Sequence, residues 1–138
     1  MVFPVTTSIW PQPLIVVRDV QASSRFYGQI LGAESAHGGA EYEQLVSDGE
    51  LILQLHHIEV EDHHGPLASP EVPLGNGALL WFEVSDFEAA AERAKSVEAQ
   101  VERDAHVNPN AKQWELWLRD PDGYLVVLAG PSEYRPRG

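Results

Sequence analysis

A carboxylate set between two indole side chains is the arrangement in this sequence best suited to chemistry. It occurs in Trp114-Glu115-Leu116-Trp117. If Glu115 is buried, desolvation favours its protonated form, which suits general acid or base work or the binding of a cationic ligand. Burial also requires a partner such as His56, because an unpaired buried carboxylate costs several kcal/mol. Alternatively, Glu115 lies paired and solvated at the rim of a cleft.

The turn that follows Glu115 decides which side chains this residue meets. Asp120-Pro121-Asp122-Gly123 separates two apolar runs, residues 114–119 and 124–129. Its proline presets φ for the first corner of a turn, and its glycine accepts a positive φ, so the sequence predicts a β-hairpin. Because successive side chains of a strand point to opposite faces, Glu115 and Trp117 share one face. The leucines of the same strand share the other face.

Alternation in two further strands predicts a mixed face and an apolar face for the sheet. Residues 50–57 place leucines on one face and Gln54 with His56 on the other, and residues 79–84 place Trp81 and Glu83 opposite Phe and Val. Purely apolar faces pack on helices, so the mixed face is predicted to line a cleft. Two alternatives to a position in the cleft remain. Glu83 ends its strand and can be exposed to solvent, and the tryptophans can belong to the hydrophobic core.

Composition excludes several classes of protein. The chain has 138 residues, of which 43% are hydrophobic, and it has no Cys, so disulfides and thiol nucleophiles are excluded. A net charge of -12 repels phosphate backbones, so we expect no nucleic-acid partner. There is no long apolar stretch, and we expect no membrane association and a cytoplasmic location. His56-His57 and His63-His64 match no standard metal site, and a polar surface loop is the preferred interpretation of the second pair.

Two stretches of the chain show the same order of predicted elements. Val17-Arg18-Asp19-Val20 ends a strand and begins a helix, as does Val84-Ser85-Asp86-Phe87. Each helix is followed by predicted strands. The sequence therefore predicts an α+β fold with one domain, residues 1–138, made of two tandem β-α-β-β-β modules at about 12–71 and 77–130.

These features resemble the vicinal oxygen chelate superfamily. The resemblance is carried by the Val17-Arg18-Asp19 strand end, by Phe26-Tyr27 on a helix that ends at Leu31-Gly32, and by Arg119-Asp120-Pro121-Asp122-Gly123-Tyr124. The group contains glyoxalase I, bleomycin-resistance proteins, fosfomycin-resistance enzymes and extradiol dioxygenases. It implies a mixed sheet curled around a cleft, helices on the convex side, and a homodimer.

The resemblance also implies positions for metal ligands, on the first and last strand of each module. In this sequence they fall at Gln12, Gln54, Leu79 and Val127. Leu and Val cannot bind a metal, and two neutral amides are poor ligands for a divalent ion, so neither a metal nor another cofactor is expected. The residues then predicted to line the cleft are Gln12, Gln54, His56, Leu79, Trp81, Glu83, Glu115, Trp117 and Val127.

Two functions remain open from the sequence. The first is a metal-free protein that binds a planar or partly apolar organic molecule in a Trp-lined cleft, as bleomycin-resistance proteins do between two subunits. The second is an enzyme, of lyase, isomerase or dioxygenase type, that acts on a small organic substrate. It would use Glu115 with His56 as catalytic residues, or a metal held by other ligands.

Overall fold

The computed structural model describes residues 10–61, 66–110 and 112–132, which form two four-stranded sheets and two helices. The elements are β1 (Leu14–Val17), α1 (Val20–Leu31), β2 (Glu34–Ser35), β3 (Tyr42–Ser47), β4 (Glu50–His57), β5 (Leu79–Glu83), α2 (Phe87–Ser96), β6 (Gln100–Asn108), β7 (Gln113–Arg119) and β8 (Leu125–Ala129). The strand orders are β1-β4-β3-β2 and β5-β8-β7-β6. In each sheet the first strand pairs in parallel with the last, and the other pairs are antiparallel. The predicted α+β fold of two tandem β-α-β-β-β modules is confirmed.

Both helices begin at the aspartates that the sequence indicated. The Asp19 carboxylate accepts a hydrogen bond from the backbone N–H of Ala22 at 2.9 Å, and Asp86 accepts one from Ala89 at 3.0 Å. These side chains satisfy backbone donors that have no partner within the helix. α1 ends at Gly32, which has φ of 68° and so takes the left-handed conformation that glycine tolerates. Within the described residues, no helix has the length and apolar character needed to cross a membrane.

The short strand β2 was not located by the sequence pattern, and it depends on a buried carboxylate on the next strand. Glu43 accepts hydrogen bonds from the hydroxyls of Ser24 and Ser35 and from the backbone N–H groups of His37, Gly38 and Gln44. Burial alone would raise the pKa of Glu43. The hydrogen bonds outweigh that effect and lower its pKa from 4.5 to about 2. An ionised Glu43 therefore fixes the segment that carries β2.

The strand β6 also differs from its predicted bounds. The sequence predicted a strand over 99–106 and a loop over 107–113, but β6 continues through Asn108 because Val107 pairs with Trp114 and Asn108 pairs with Gln113. Two register shifts interrupt the β6–β7 pairing, one between Val101 and Arg103 and the other between Arg103 and His106. Such bulges change which residues of a strand share a face. Consequently, simple alternation cannot be extended along β6.

A single apolar core joins the two modules on the helix side of both sheets. The core includes Leu53 and Leu55 from β4 and Leu116 and Leu118 from β7, as alternation predicted. The helix α1 contributes apolar and aromatic side chains to it, and α1 packs against α2. The apolar faces of both sheets are thus covered within one chain, and the mixed faces are left on the other side of each sheet.

The turn between β7 and β8 holds the modules together through buried hydrogen bonds. The Tyr27 hydroxyl, from α1, donates to the Asp120 carboxylate at 2.6 Å, and the Tyr124 hydroxyl donates to the Val16 carbonyl at 2.8 Å. Burial and the Asp120 carboxyl raise the pKa of Tyr27 well above its ordinary value. Burial also raises the pKa of Asp120, although the hydrogen bond from Tyr27 acts in the opposite direction.

A glycine of the linker between the modules contacts the same turn. Gly75 has φ of +82°, and a Cβ there would lie 2.7 Å from the Gly123 carbonyl oxygen. Gly77 has a similar φ of +78°, yet a Cβ there would meet no atom within 4 Å. The two glycines therefore share the same backbone requirement, but only Gly75 is also required by close packing.

We expect Gly75→Ala to lower the free energy of unfolding by at least about 2 kcal/mol, because left-handed strain and steric overlap act together. The matched change Gly77→Ala should cost only about 1 kcal/mol, from the left-handed conformation alone. Urea unfolding of both variants measures the difference. Equal losses would show that the linker does not press against the turn.

Candidate functional site

The second sheet presents an ordered mixed face. Residues that pair across neighbouring strands lie on the same face, so the register defines rows of side chains. The middle row is Trp81 on β5, Val127 on β8, Trp117 on β7 and Arg103 on β6. The adjacent row is Glu83, Ala129, Glu115 and His106. The predicted sharing of one face by Trp81, Glu83, Glu115 and Trp117 therefore agrees with the register, and Arg103 and His106 join them.

Glu115 is held by side chains of its own hairpin. It is 1% exposed, accepts a hydrogen bond from the Trp117 indole N–H at 3.0 Å, and accepts another from the Asn108 amide at 2.9 Å. The His106 Nε2 atom lies 3.6 Å from its Oε1 atom. Burial of Glu115, one of the two alternatives left by the sequence, is therefore what the structure shows.

Among the residues that the structure describes, the expected pairing of Glu115 with His56 is not made. The two residues lie on different sheets, and the partners of Glu115 are Asn108, Trp117 and His106. His106 was missed because the register shifts on β6 hide its phase from the sequence. Its Nδ1 atom lies 2.7 Å from the Asp104 carbonyl, whereas its buried Nε2 atom, 3.6 Å from Glu115 Oε1, forms no hydrogen bond within the described residues.

The mixed face of the first sheet is a chain of hydrogen bonds between neutral groups. Gln54 donates from Nε2 to the Gln12 carbonyl at 2.9 Å, and its Oε1 accepts from the Tyr42 hydroxyl. Gln44 Nε2 donates to the Tyr42 oxygen at 3.1 Å. Gln12 and Gln54 are thus brought together. The sequence did not predict that Tyr42 and Gln44 belong to the same face. His56 pairs with Tyr42 in the register and lies on the same face, buried, with Nδ1 at 2.9 Å from the His57 carbonyl.

The metal-ligand positions given by the resemblance are equivalent in the two modules. Gln54 pairs with Leu14, and Val127 pairs with Trp81; Leu14 and Trp81 each lie five residues before the aspartate that caps the following helix. At Leu79 and Val127 the donors are missing. At the other two positions the Gln12 carbonyl and both amide atoms of Gln54 already bond to protein groups. This donor set does not suit a divalent cation, which prefers carboxylate oxygen or imidazole.

Other histidines do not change this conclusion for the described part of the chain. Among residues 10–61, 66–110 and 112–132, no group of three or more His, Cys, Asp or Glu side chains is placed to hold a metal ion. His63 and His64, interpreted as a surface pair, lie outside the described residues.

The predicted cleft residues differ in their exposure. Trp81 and Leu79 are 39% and 43% exposed, and Val127 is fully buried beneath the row of tryptophans. Glu83 is half-buried at the end of β5, where it lines a cavity of about 750 Å³ together with Ile52 and Arg93. In one chain, the polar face around Gln54 and the aromatic face around Trp117 therefore belong to separate sheets.

Paired β-α-β-β-β modules with mixed sheet faces define the scaffold of a cleft-forming protein. Residues 10–128 match the sequence model of the Glyoxalase/Bleomycin resistance protein/Dioxygenase superfamily, and the chain belongs to that superfamily. The resemblance inferred from the strand ends and the Asp-Pro-Asp-Gly turn is thereby confirmed.

Solved structures support the same fold. A protein from the mobile metagenome of V. pseudocholerae has a TM-score of 0.69 at 19% identity, over 95% of this chain and 100% of that chain. Fosfomycin resistance protein FosX from Mesorhizobium loti has a TM-score of 0.66 at 14% identity, over 94% and 97%. Lactoylglutathione lyase from Agrobacterium tumefaciens has a TM-score of 0.66 at 18% identity, over 91% and 96%. At these identities the likeness extends to the fold and does not transfer an activity.

We expect Glu115→Gln to lower the free energy of unfolding by about 1–3 kcal/mol, because the amide keeps one acceptor oxygen where Asn108 and Trp117 now use two. Near-ultraviolet circular dichroism should also change as the Trp117 ring loses its anchor. Glu102→Gln is the matched control, since Glu102 is exposed and pairs with Arg119 at 3.3 Å; that change should cost less than about 1 kcal/mol. Equal effects of the two variants would contradict a structural role for the buried carboxylate.

Proposed function

We propose that this protein is a metal-free binder of a planar or partly apolar organic molecule, which lies against Trp81 and Trp117, on either side of the buried Val127. The observation that carries the proposal is the anchored indole of Trp117: its N–H is bound to Glu115, so the ring offers its π face to a ligand. Trp81 lies in the same row, two strands away, at roughly 10 Å. The two indoles form a platform on which a flat ring system stacks.

The absence of suitable metal donors at the positions used by relatives supports binding over metal-dependent chemistry. Leu79 and Val127 offer no donor atom, and Gln54 is engaged in a neutral hydrogen-bonded chain. Each oxygen of Glu115, the predicted catalytic carboxylate, already accepts a hydrogen bond, from Asn108 or from Trp117, which favours a positioning role for it over proton transfer. Its catalytic role and that of His56 remain predictions.

We also propose that a second copy of the chain completes the site. Large apolar side chains are exposed on both mixed faces, including Leu14, Leu79 and Trp81, whereas the apolar faces of both sheets are already covered. A homodimer that opposes the aromatic face of one copy to the amide-rich face of the other would bury these side chains. The ligand would then meet indole rings on one side and the Gln44, Tyr42 and Gln54 groups on the other. The cytoplasmic location likewise remains a prediction.

A thermal-shift screen with planar aromatic compounds, including the neutral amide 2-naphthamide, tests the binding site. A ligand that binds the folded protein raises Tm by mass action, and Trp117→Ala should abolish that shift. The matched control is Trp114→Ala: Trp114 lies on the same strand but faces the other way, with its ring against Phe87, and this variant should keep the shift. A shift that survives in Trp117→Ala would refute the placement.

Scans at several protein concentrations test the dimer, whose Tm rises with concentration.

The alternative is an enzyme that acts on a small organic substrate, with or without a divalent metal. It is favoured by the names of two similar structures, a fosfomycin resistance protein and a lactoylglutathione lyase. Elemental analysis of the purified protein separates the two functions. We expect less than about 0.1 metal ion per chain, because amides and alkyl groups are poor ligands. Nickel, zinc, manganese or iron in stoichiometric amount, retained through purification, would overturn the metal-free proposal.

A further inference from the structure

The row that holds the two indoles ends in a cation. Arg103 pairs with Trp117 across β6 and β7, so the register places it directly opposite the strand position that carries the indole ring. The sequence gives no sign of this, because register shifts on both sides of Arg103 break the alternation of β6. Trp81 and Trp117 supply apolar surface, Val127 is buried between them, and Arg103 is the charged member of the row.

The guanidinium of Arg103 is unused by the protein. Within the described residues it makes no hydrogen bond and no ion pair, and it is exposed. Arg119, on the same face, is by contrast committed to Glu102 and to the Gly123 carbonyl. The buried carboxylate in the adjacent row, Glu115, accepts its hydrogen bonds from Asn108 and Trp117. The positive charge of Arg103 is therefore available to a ligand.

We infer that the ligand is a planar aromatic carboxylate whose rings lie on Trp81 and Trp117 and whose carboxylate binds Arg103. This inference rests on the proposed function and adds the class of ligand to it. Neighbouring strands are about 4.8 Å apart, so the indole platform spans roughly 10 Å and the cation begins one strand further. A bicyclic or tricyclic ring with a terminal carboxylate fits that spacing.

The overall charge of the chain strengthens the role of one local cation. At a net charge of -12, the field of the protein opposes an approaching anion. An aromatic acid is thus held only where a guanidinium offsets that field. Arg suits this task because its planar fork binds a carboxylate through two parallel hydrogen bonds. A neutral aromatic ligand would lack the charge-assisted pair of hydrogen bonds that a carboxylate forms with Arg103.

Calorimetric titration with 2-naphthoate and 2-naphthamide tests the inference, because the two probes share their rings and differ in charge. We expect the full-length protein to bind naphthoate about fivefold or more tightly than naphthamide. Arg103→Gln should bring the ratio of the two affinities close to one, because it weakens the binding of naphthoate much more than that of naphthamide. Arg103→Lys, which keeps the charge but loses the fork, should retain part of the preference.

Arg25→Gln is the matched control, since it removes one positive charge from the exposed side of α1, away from the mixed face. It should keep the preference for naphthoate. Equal affinity of the unaltered protein for both probes, or a preference that survives in Arg103→Gln, overturns the inference and leaves the proposed binding function standing. A gain in affinity for both probes in Arg103→Gln also overturns it, by showing that Arg103 covers the Trp117 ring. Binding of neither probe contradicts the proposed function and the inference together.

Discussion

The buried hydrogen bond from Tyr27 to Asp120 connects the fold to the site. Its two residues come from different modules, and both are almost completely removed from solvent. The same carboxylate accepts backbone N–H groups of Asp122 and Tyr124, so it also shapes the turn between β7 and β8. That turn sets the register that places Trp117 beside Val127. Loss of this hydrogen bond would leave a buried acceptor without its hydroxyl partner, at a cost of about 1.5–3 kcal/mol.

Local rules accounted for much of the fold. Aspartates before Val20 and Phe87 marked the helix starts because a carboxylate there satisfies free backbone donors. Alternation placed Leu116 in the core and Trp117 on the mixed face because the side chains of a regular strand have a period of two. The repeated order of elements gave the two modules. These features depend on neighbours in sequence, so the sequence carries them.

The parts that sequence reasoning missed depend on distant contacts or on irregular strands. The strand β2 is held in place because Glu43 accepts hydrogen bonds from groups of both the helix α1 and the following segment. A local sequence pattern does not indicate such hydrogen bonds. The partner expected for Glu115 was His56, but bulges on β6 turn His106 toward it instead. The same bulges hid Arg103. Hydrogen bonds such as that of Tyr27 with Asp120 join residues far apart in the chain, and neither residue alone indicates the contact.

The change in the interpretation of Glu115 also changes what the scaffold is suited to do. A carboxylate that is free in a cleft can exchange protons with a substrate. In Glu115, by contrast, one oxygen accepts a hydrogen bond from Asn108 and the other accepts one from Trp117. What the structure shows for Glu115 is a structural role, in which its hydrogen bond anchors the Trp117 indole. Gln54 and Val127 occupy equivalent positions of the two modules. Gln54 bonds to the Gln12 carbonyl and the Tyr42 hydroxyl, whereas Val127 lies between Trp81 and Trp117. The positions that the resemblance gave to metal ligands are thus occupied by groups without suitable donors, and stacking and hydrogen bonding are the interactions that the two mixed faces can offer.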